Sequence, residues 1–313
     1  MIQNIVFIAI GFAMLMLGAK WLVDGSSAIA RKYHIPEIVI GLTIVSIGTS
    51  MPELMVSFTS ALEGHSDISV GNVIGSNLCN LLLILGLTSI VTPLVFSKTT
   101  KDYDISIMLF STIIVLLLAN KGNILSRADG ILLLVLFIFF ILYTIKIAQK
   151  SMNNCKENEV EIPKGKMIVS VIKILVGIVL LKFGGDISVN NAVEVAQVLG
   201  VSERIIGVTI VAIGTSLPEL ITSIVAALKK EIDIAIGNIV GSNIFNLLLI
   251  LGVSATISPI VYSIEYNLDF ILLSIASLLL LCFAMFGKKD TMTRFNGLIY
   301  LLMYGGYMAS LIF

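Results

Sequence analysis

One segment of this 313-residue chain is present twice, with its polar residues intact. Residues 41–95 and 207–261 align without a gap at a constant offset of 166 residues, and 30 of the 55 positions are identical. Shared apolar composition would explain matching leucines, but not matching polar residues. The polar and proline identities include Thr49/Thr215, Ser50/Ser216, Pro52/Pro218, Glu53/Glu219, Asn72/Asn238, Ser76/Ser242 and Asn80/Asn246. Polar groups kept in duplicate inside apolar segments are typical of a pseudo-symmetric membrane site.

The chain as a whole is too apolar for a soluble domain. Its mean hydropathy is +1.04 and 13% of its residues are charged, about half the fraction usual in soluble proteins. Apolar runs that can cross a hydrocarbon core of about 30 Å recur along the sequence. We therefore predict an all-α membrane protein with ten transmembrane helices. The predicted spans lie near residues 3–24, 37–62, 68–92, 104–120, 129–147, 167–190, 203–228, 233–258, 268–287 and 295–313.

Basic residues divide unevenly between alternate loops. With the N-terminus outside, 14 Lys and Arg residues lie in cytoplasmic loops and 3 in external loops. The positive-inside rule therefore predicts that both termini are outside. Residues 148–166 are then a cytoplasmic linker between a first repeat, residues 1–147, and a second repeat, residues 167–313. Because each repeat has five predicted spans, the second enters the membrane inverted, and a ligand is expected near the midplane where the copies meet.

Two prolines are predicted to break spans 2 and 7. Pro52 in GTSMPE and Pro218 in GTSLPE have no N–H group and crowd the preceding helical turn, which frees backbone carbonyls there. At membrane depth a freed carbonyl must find protein, water or an ion. Glu53 and Glu219 directly follow these prolines, near the middle of their spans. The carbonyl end of each first half-helix favours a cation, whereas the start of each second half-helix favours a carboxylate.

The same residues permit a purely structural interpretation. Ser50-x-x-Glu53 and Ser216-x-x-Glu219 fit a capping box, in which serine and glutamate satisfy the start of a helix. An ionisable residue in mid-membrane costs about 2.5–3.5 kcal/mol on insertion scales and is usually functional. Position therefore favours a functional role for both glutamates, with the box holding each carboxylate in place.

Spans 3 and 8 carry a second set of polar residues. Asn72, Ser76 and Asn80 recur every four residues and form one stripe, and the second repeat has the same stripe. Interhelical hydrogen bonding is the alternative role for such residues. Together the two motifs offer carboxylate, hydroxyl, amide and backbone oxygens without histidine or thiolate ligands. Hard cations such as Ca²⁺ and Na⁺ prefer this set over soft transition metals.

The paired motifs carry a family resemblance. GTSMPE with GNVIGSN, and GTSLPE with GNIVGSN, resemble the two repeats of the Ca²⁺/cation antiporter superfamily, in its Na⁺/Ca²⁺ exchanger family of prokaryotic type. The resemblance implies a secondary active antiporter of a prokaryotic plasma membrane, not an enzyme. It implies Ca²⁺ and Na⁺ as transported ions, the lipid bilayer as surroundings, and neither a cofactor nor a nucleic-acid or protein partner.

The resemblance also implies one central cation cage and alternating access, in which spans 1 and 6 slide over a fixed core. Two positions, Ser46 and Ala212, correspond to ligands through their backbone carbonyls. The other corresponding ligands are Thr49, Ser50, Glu53, Ser76 and Asn80 from the first repeat and Thr215, Ser216, Glu219, Ser242 and Asn246 from the second.

One position departs from part of the family, and two other functions stay open. Some relatives carry Asp where this chain has Asn246, so the cage here has two acidic residues rather than three. An H⁺/Ca²⁺ antiporter with the same fold is one alternative, and a cation channel is another from a different class.

Two charged pairs near the ends of spans 1 and 6 are spaced for local ion pairs. Lys20 and Asp24 are four residues apart, as are Lys182 and Asp186. On a helix this spacing brings the side chains together. We predict either an ion pair within each helix or snorkelling of the lysines towards the membrane surface.

Overall fold

The described chain is almost entirely helical. The computed structural model describes residues 1–64, 66–154, 164–201, 210, 212–287 and 290–312. In the first half the helices are α1 (Ile2–Tyr33), α2 (Glu37–Ile40), α3 (Ser46–Thr49), α4 (Met51–Leu62), α5 (Ser66–Leu78), α6 (Leu85–Val91), α7 (Ile105–Asn120) and α8 (Arg127–Asn154). Short strands β1 (Leu94–Val95) and β2 (Ile124–Leu125) lie between the last three of these helices.

The second half repeats this order at nearly the same offset. Its helices are α9 (Lys164–Val198), α10 (Ala212–Thr215), α11 (Leu217–Leu228), α12 (Ile232–Ile244), α13 (Leu251–Ile257), α14 (Tyr266–Phe286) and α15 (Arg294–Ile312), with strands β3 (Ile260–Val261) and β4 (Thr291–Met292). Helices α4, α5 and α6 correspond residue for residue to α11, α12 and α13 at an offset of 166. The local fold therefore follows the duplicated sequence.

Wider π-helical turns interrupt several spans. They occupy Gly41–Val45, Cys79–Ile84, Thr100–Asp104 and Phe245–Ile250. Those at Cys79–Ile84 and Phe245–Ile250 correspond at the offset of 166 and begin one residue before Asn80 and Asn246. Such turns rotate the following residues relative to a regular helix and occur frequently at functional sites.

Seven helices in the described part are long and apolar enough to cross a membrane, or eight if the broken helix from Glu37 to Leu62 counts as one span. Predicted spans 7 and 10 are not in this count. Residues 202–209 and 211 lie outside the described part, so span 7 is represented mainly by the 12-residue α11. Span 10 corresponds to α15, which has 19 residues. Helix α8 continues to Asn154 and α9 begins at Lys164, so both ends of the predicted linker, residues 148–166, are helical, and its central residues 155–163 lie outside the described part.

Helices α1 and α9 pack against each other in antiparallel directions through small residues. A Cβ added at Gly11 would lie 2.7 Å from the Gly184 carbonyl oxygen, and one at Gly18 would lie 2.8 Å from that of Gly177. Such distances leave no room for any side chain, so the two backbones touch directly. At the offset of 166, Gly11 corresponds to Gly177 and Gly18 to Gly184, and the contact is therefore reciprocal between the halves.

The two halves also join through their strands and centre. Strand β1 pairs with β4 and β2 pairs with β3, both in antiparallel register. The segment Ile232–Ile257 is 94% buried in its most apolar window, whereas the corresponding window of Arg127–Asn153 is only 17% buried. The polar-rich spans thus lie in the centre and the leucine-rich ones outside, as expected when lipid is the surrounding solvent.

Candidate functional site

The proline-containing motifs form two helix breaks. Ser50 has non-helical backbone angles (φ −84°, ψ 10°), and the axes of the helical segments before and after it differ by 52°. Ser216 has nearly the same angles (φ −90°, ψ 8°) before α11. The breaks occur because Pro52 and Pro218 cannot continue the hydrogen-bond ladder. They place Glu53 and Glu219 in the first turns of α4 and α11, both almost completely buried.

Each glutamate accepts a hydrogen bond from the serine of the opposite half. Ser50 Oγ donates to Glu219 Oε1 at 2.7 Å, and Ser216 Oγ donates to Glu53 Oε1 at 3.4 Å. The capping-box interpretation was wrong on this point, because neither serine side chain caps its own helix. A serine hydroxyl can donate only one hydrogen bond, and here it donates to a buried carboxylate on the facing helix.

Two asparagines brace the helices that carry the glutamates. Asn72 donates through Nδ2 to Ser57 Oγ at 3.0 Å and to the Glu53 carbonyl at 3.2 Å. Asn238 makes the equivalent bonds to Ser223 Oγ at 3.0 Å and to the Glu219 carbonyl at 3.4 Å. These interhelical bonds fix the first turn of each second half-helix and explain why both asparagines are duplicated.

Further predicted residues surround Glu219. Thr49 lies next to its carboxylate and donates through Oγ1 to Asn238 Oδ1 at 3.0 Å. Ser242 also lies beside this carboxylate. The Ser46 carbonyl accepts from the Ser50 N–H at 3.0 Å, and Thr49 Oγ1 lies 3.3 Å from it. The structure therefore brings residues of spans 2, 7 and 8 together at one point.

Asn80 and Asn246 are linked across the two halves by asparagines that the sequence analysis did not single out. Asn80 Nδ2 donates to Asn243 Oδ1 at 3.1 Å, and Asn246 Nδ2 donates to Asn77 Oδ1 at 3.0 Å. All four side chains are buried. Asn77 and Asn243 are also identical at the offset of 166, so the repeat itself contained the signal for both.

Most oxygens without a hydrogen-bond partner belong to this site. Among the described residues, the buried side-chain oxygens and nitrogens without a partner number nine. Five of these nine are Glu53 Oε2, Glu219 Oε2, Asn80 Oδ1, Ser242 Oγ and Asn246 Oδ1, all from residues predicted as cation ligands. A buried oxygen without a donor is costly, and a cation satisfies it.

The charges of the two glutamates also favour a cation at this site. None of the ion pairs in the described part of the chain includes Glu53 or Glu219. The described residues also contain no cluster of three or more His, Cys, Asp or Glu side chains that could hold a metal ion. Two carboxylates with neutral oxygens around them suit a hard cation better than a soft metal.

Three other predicted ligands lie on α5 and α10. Ser76 is buried on α5, against which α10 packs. Thr215 lies on α10 and lines a cavity of about 270 Å³ together with Pro52, Pro218 and Gly214. Ala212 is described only through its backbone, at the first residue of α10. The same cavity is also lined by Lys182 and Asp186 of α9.

Charged and polar groups hold the C-terminal end of α1. Arg31 Nη2 lies 2.5 Å from Glu231 Oε1, and Ser27 Oγ donates to the same oxygen at 2.9 Å. The prediction of a local pair between Lys20 and Asp24 was wrong, because Asp24 pairs with Lys229 of the other half. The corresponding pair on α9 is confirmed, with Lys182 Nζ and Asp186 Oδ2 separated by 2.6 Å.

Comparison with known proteins identifies the family. The model of the sodium/calcium exchanger protein family matches residues 3–146 and again residues 169–313. The chain belongs to the sodium/calcium exchanger protein family. This is a family of transporters rather than enzymes, and the chain is an integral membrane protein.

Individual relatives match over almost their whole length. The sodium/calcium exchanger MaX1 of Methanosarcina acetivorans is 30% identical, over 99% of each chain. The inner membrane protein YrbG of Escherichia coli is 36% identical, over 86% of each chain. A solved structure of the sodium-calcium exchanger NCX_Mj, soaked with 2.5 mM Na⁺ and 1 mM Sr²⁺, has a TM-score of 0.86 at 32% identity and covers 99% of this chain and 98% of that one. The overall fold is therefore that of a membrane cation exchanger.

Proposed function

We propose that this chain is a secondary active antiporter that exchanges Na⁺ for Ca²⁺ at the oxygen-lined site between the two halves. The group of five buried oxygens without donors, which includes one from each glutamate, is the observation that carries this proposal. The similarity to MaX1 and NCX_Mj, both described as sodium/calcium exchangers, supports the choice of ions.

The proposed ligands are those implied by the sequence motifs. Glu53 and Glu219 provide the charge, and the neutral oxygens complete the coordination. The neutral ligands are the side chains of Thr49, Thr215, Ser50, Ser216, Ser76, Ser242, Asn80 and Asn246 and the backbone carbonyls of Ser46 and Ala212. Two ionised carboxylates balance one Ca²⁺ or two Na⁺, which allows both ions to use one site in turn.

The proposed architecture has ten transmembrane helices in two inverted five-helix repeats, with breaks in helices 2 and 7. The antiparallel packing of α1 on α9 and the reciprocal strand pairs support inversion, since equivalent helices of inverted repeats run in opposite directions. The cavity along α9, which Thr215 also lines, supports access to the proposed site. We further propose that both termini lie outside a prokaryotic plasma membrane, as the loop charges predict.

Flux measurements test this function directly. Purified protein is reconstituted into proteoliposomes loaded with Na⁺, and uptake of ⁴⁵Ca²⁺ is followed after dilution into medium without Na⁺. We expect uptake that stops when an ionophore dissipates the Na⁺ gradient. Uptake driven only by a proton gradient would instead indicate an H⁺/Ca²⁺ antiporter. Conductance for Ca²⁺ without any counter-ion would indicate a channel.

A further inference from the structure

Four buried amides form a continuous set of hydrogen bonds at the proposed site. They belong to Asn77, Asn80, Asn243 and Asn246, and each side chain has one amide oxygen and one amide nitrogen. Six of these eight atoms have partners, and the two without are Asn80 Oδ1 and Asn246 Oδ1. The unpartnered atoms are thus the two oxygens proposed as cation ligands.

The direction of these bonds is fixed from the backbone. Asn77 Nδ2 donates to the main-chain carbonyl of Asn243 at 3.4 Å. A carbonyl can only accept, so the nitrogen of Asn77 must face it and the oxygen must face the other way. That oxygen accepts from Asn246 Nδ2 at 3.0 Å, which turns Asn246 Oδ1 to the side without a protein donor.

The hydrogen bonds of Asn80 and Asn243 run in the same direction, but they end on a weaker acceptor. Asn243 Nδ2 donates to Met108 Sδ at 3.5 Å, and Asn243 Oδ1 accepts from Asn80 Nδ2. A thioether sulfur is a weak acceptor, so it opposes rotation of the Asn243 amide less than a carbonyl does. Residue Asn246 is therefore held more firmly than Asn80.

We propose that Asn77 and Asn243 are positioning residues that orient the amides of Asn246 and Asn80, so that their oxygens and not their nitrogens face the bound cation. An amide turned by 180° would present an NH₂ group and repel the cation. The inference rests on the proposed function, since it assigns work to residues beside that site. It adds two residues that act on the cation only through the side chains of Asn246 and Asn80.

Equilibrium binding of ⁴⁵Ca²⁺ to purified protein in Na⁺-free buffer tests the orientation independently of transport. Asn77→Leu removes the acceptor at nearly constant size, and we expect about 3- to 10-fold weaker Ca²⁺ binding, as for the loss of one buried hydrogen bond. Asn77→Asp keeps an acceptor for Asn246 Nδ2 and, as a buried protonated carboxyl group, also a donor for the Asn243 carbonyl, and we expect binding within about threefold of wild type or tighter. Ser69→Ala, which removes a buried hydroxyl from the same helix, is the matched control and should change nothing.

A double-mutant cycle distinguishes positioning from general packing. In an Asn246→Ala background the amide to be oriented is gone, so adding Asn77→Leu should weaken binding no further. Multiplication of the two single effects would overturn the proposal. If Asn77→Leu does not fold, Asn77→Asp decides, and a loss of tenfold or more would count against us. Normal Ca²⁺ binding without Na⁺-driven flux would refute the proposed antiport but not this inference, whereas wild-type protein without Ca²⁺ binding would refute both.

Discussion

Each of the two buried glutamates has one satisfied carboxylate oxygen and one without a partner. The satisfied oxygens accept from Ser216 and Ser50, and the others, Glu53 Oε2 and Glu219 Oε2, have no partner in the described part of the chain. With no basic side chain paired to either group, only a cation or a proton can compensate their charge. Both carboxylates therefore fit the proposed cation site.

Neutralising either glutamate should prevent transport. Glu53→Gln and Glu219→Gln preserve size but remove one of two negative charges, and Ca²⁺ requires charge as well as oxygen ligands. We expect Na⁺-driven ⁴⁵Ca²⁺ flux to fall close to background in each variant, with an unchanged gel-filtration profile. Flux like that of wild type would mean that the carboxylates only start their helices.

The two serine bonds differ in length, and their removal should differ in effect. Ser50 Oγ lies 2.7 Å from Glu219, whereas Ser216 Oγ lies 3.4 Å from Glu53. A net hydrogen-bond contribution of about 0.5–1.5 kcal/mol predicts roughly tenfold weaker Ca²⁺ binding in Ser50→Ala and roughly threefold in Ser216→Ala. Binding measurements on both variants check the order, and equal losses would contradict the asymmetry.

The sequence predicted most residues of the proposed site and missed the two that we propose to orient others. Asn80 and Asn246 were found because they continue a four-residue stripe. Asn77 directly follows Ser76, and so projects about 100° away from that stripe on a regular helix. Its function arises from a bond to the opposite half, which no periodicity within one helix contains. The capping box failed for the same reason, because the competing carboxylate lies 169 residues from Ser50.

At the scale of elements, the contact between α1 and α9 is one that leaves no space for side chains at several positions. Gly11 and Gly18 face Gly184 and Gly177, and the carbonyl oxygens lie where any side chain would begin. The surfaces are therefore smooth, with no large side chains interlocked at these points. This suits two helices that move together against a core, which is the movement that the family resemblance implies.

A single methyl group in this contact should destabilise the protein. In Gly18→Ala the new Cβ would lie 2.8 Å from a backbone oxygen, so the helices must separate, at about 1–3 kcal/mol for overpacking. The thermal midpoint in detergent should fall, and fluorescence of Trp21, the only tryptophan, can report it from within α1. Gly305→Ala in α15 is the control, because no atom lies within 4 Å of its added Cβ. An equal midpoint in the two variants would contradict the close contact.

Helix breaks could be predicted from the sequence, but the partner of Asp24 could not. Pro52 and Pro218 determine where α4 and α11 begin, since proline acts through its own covalent geometry. Asp24 was assigned to Lys20 by spacing alone, yet it pairs with Lys229. An exposed i,i+4 pair contributes only a few tenths of a kcal/mol, so a tertiary partner readily replaces it.

At the scale of the whole molecule, the proposed inversion can be tested by labelling. Tyr33 and Leu199 are exposed, end equivalent helices and are related by the offset of 166. In a background with Cys155 and Cys282 replaced by serine, Tyr33→Cys should react with an impermeant maleimide only from the cytoplasmic side. Leu199→Cys should react only from outside, and the remaining Cys79 is buried. Reaction of both from the same side would rule out inverted repeats.

The serine of each half donates to the glutamate of the other half, and this has a consequence for the biosynthesis and the evolutionary origin of the chain. The first half enters the membrane before Ser216 has been made, so Glu53 initially lies in lipid without its donor, at an insertion cost of about 2.5–3.5 kcal/mol. Completion of the second half supplies this donor, which links assembly of the site to completion of the chain. Two copies of one ancestral half, inserted in opposite orientations, could have supplied each other's serine in the same way. The present chain has the bonding of such a dimer, joined into one polypeptide.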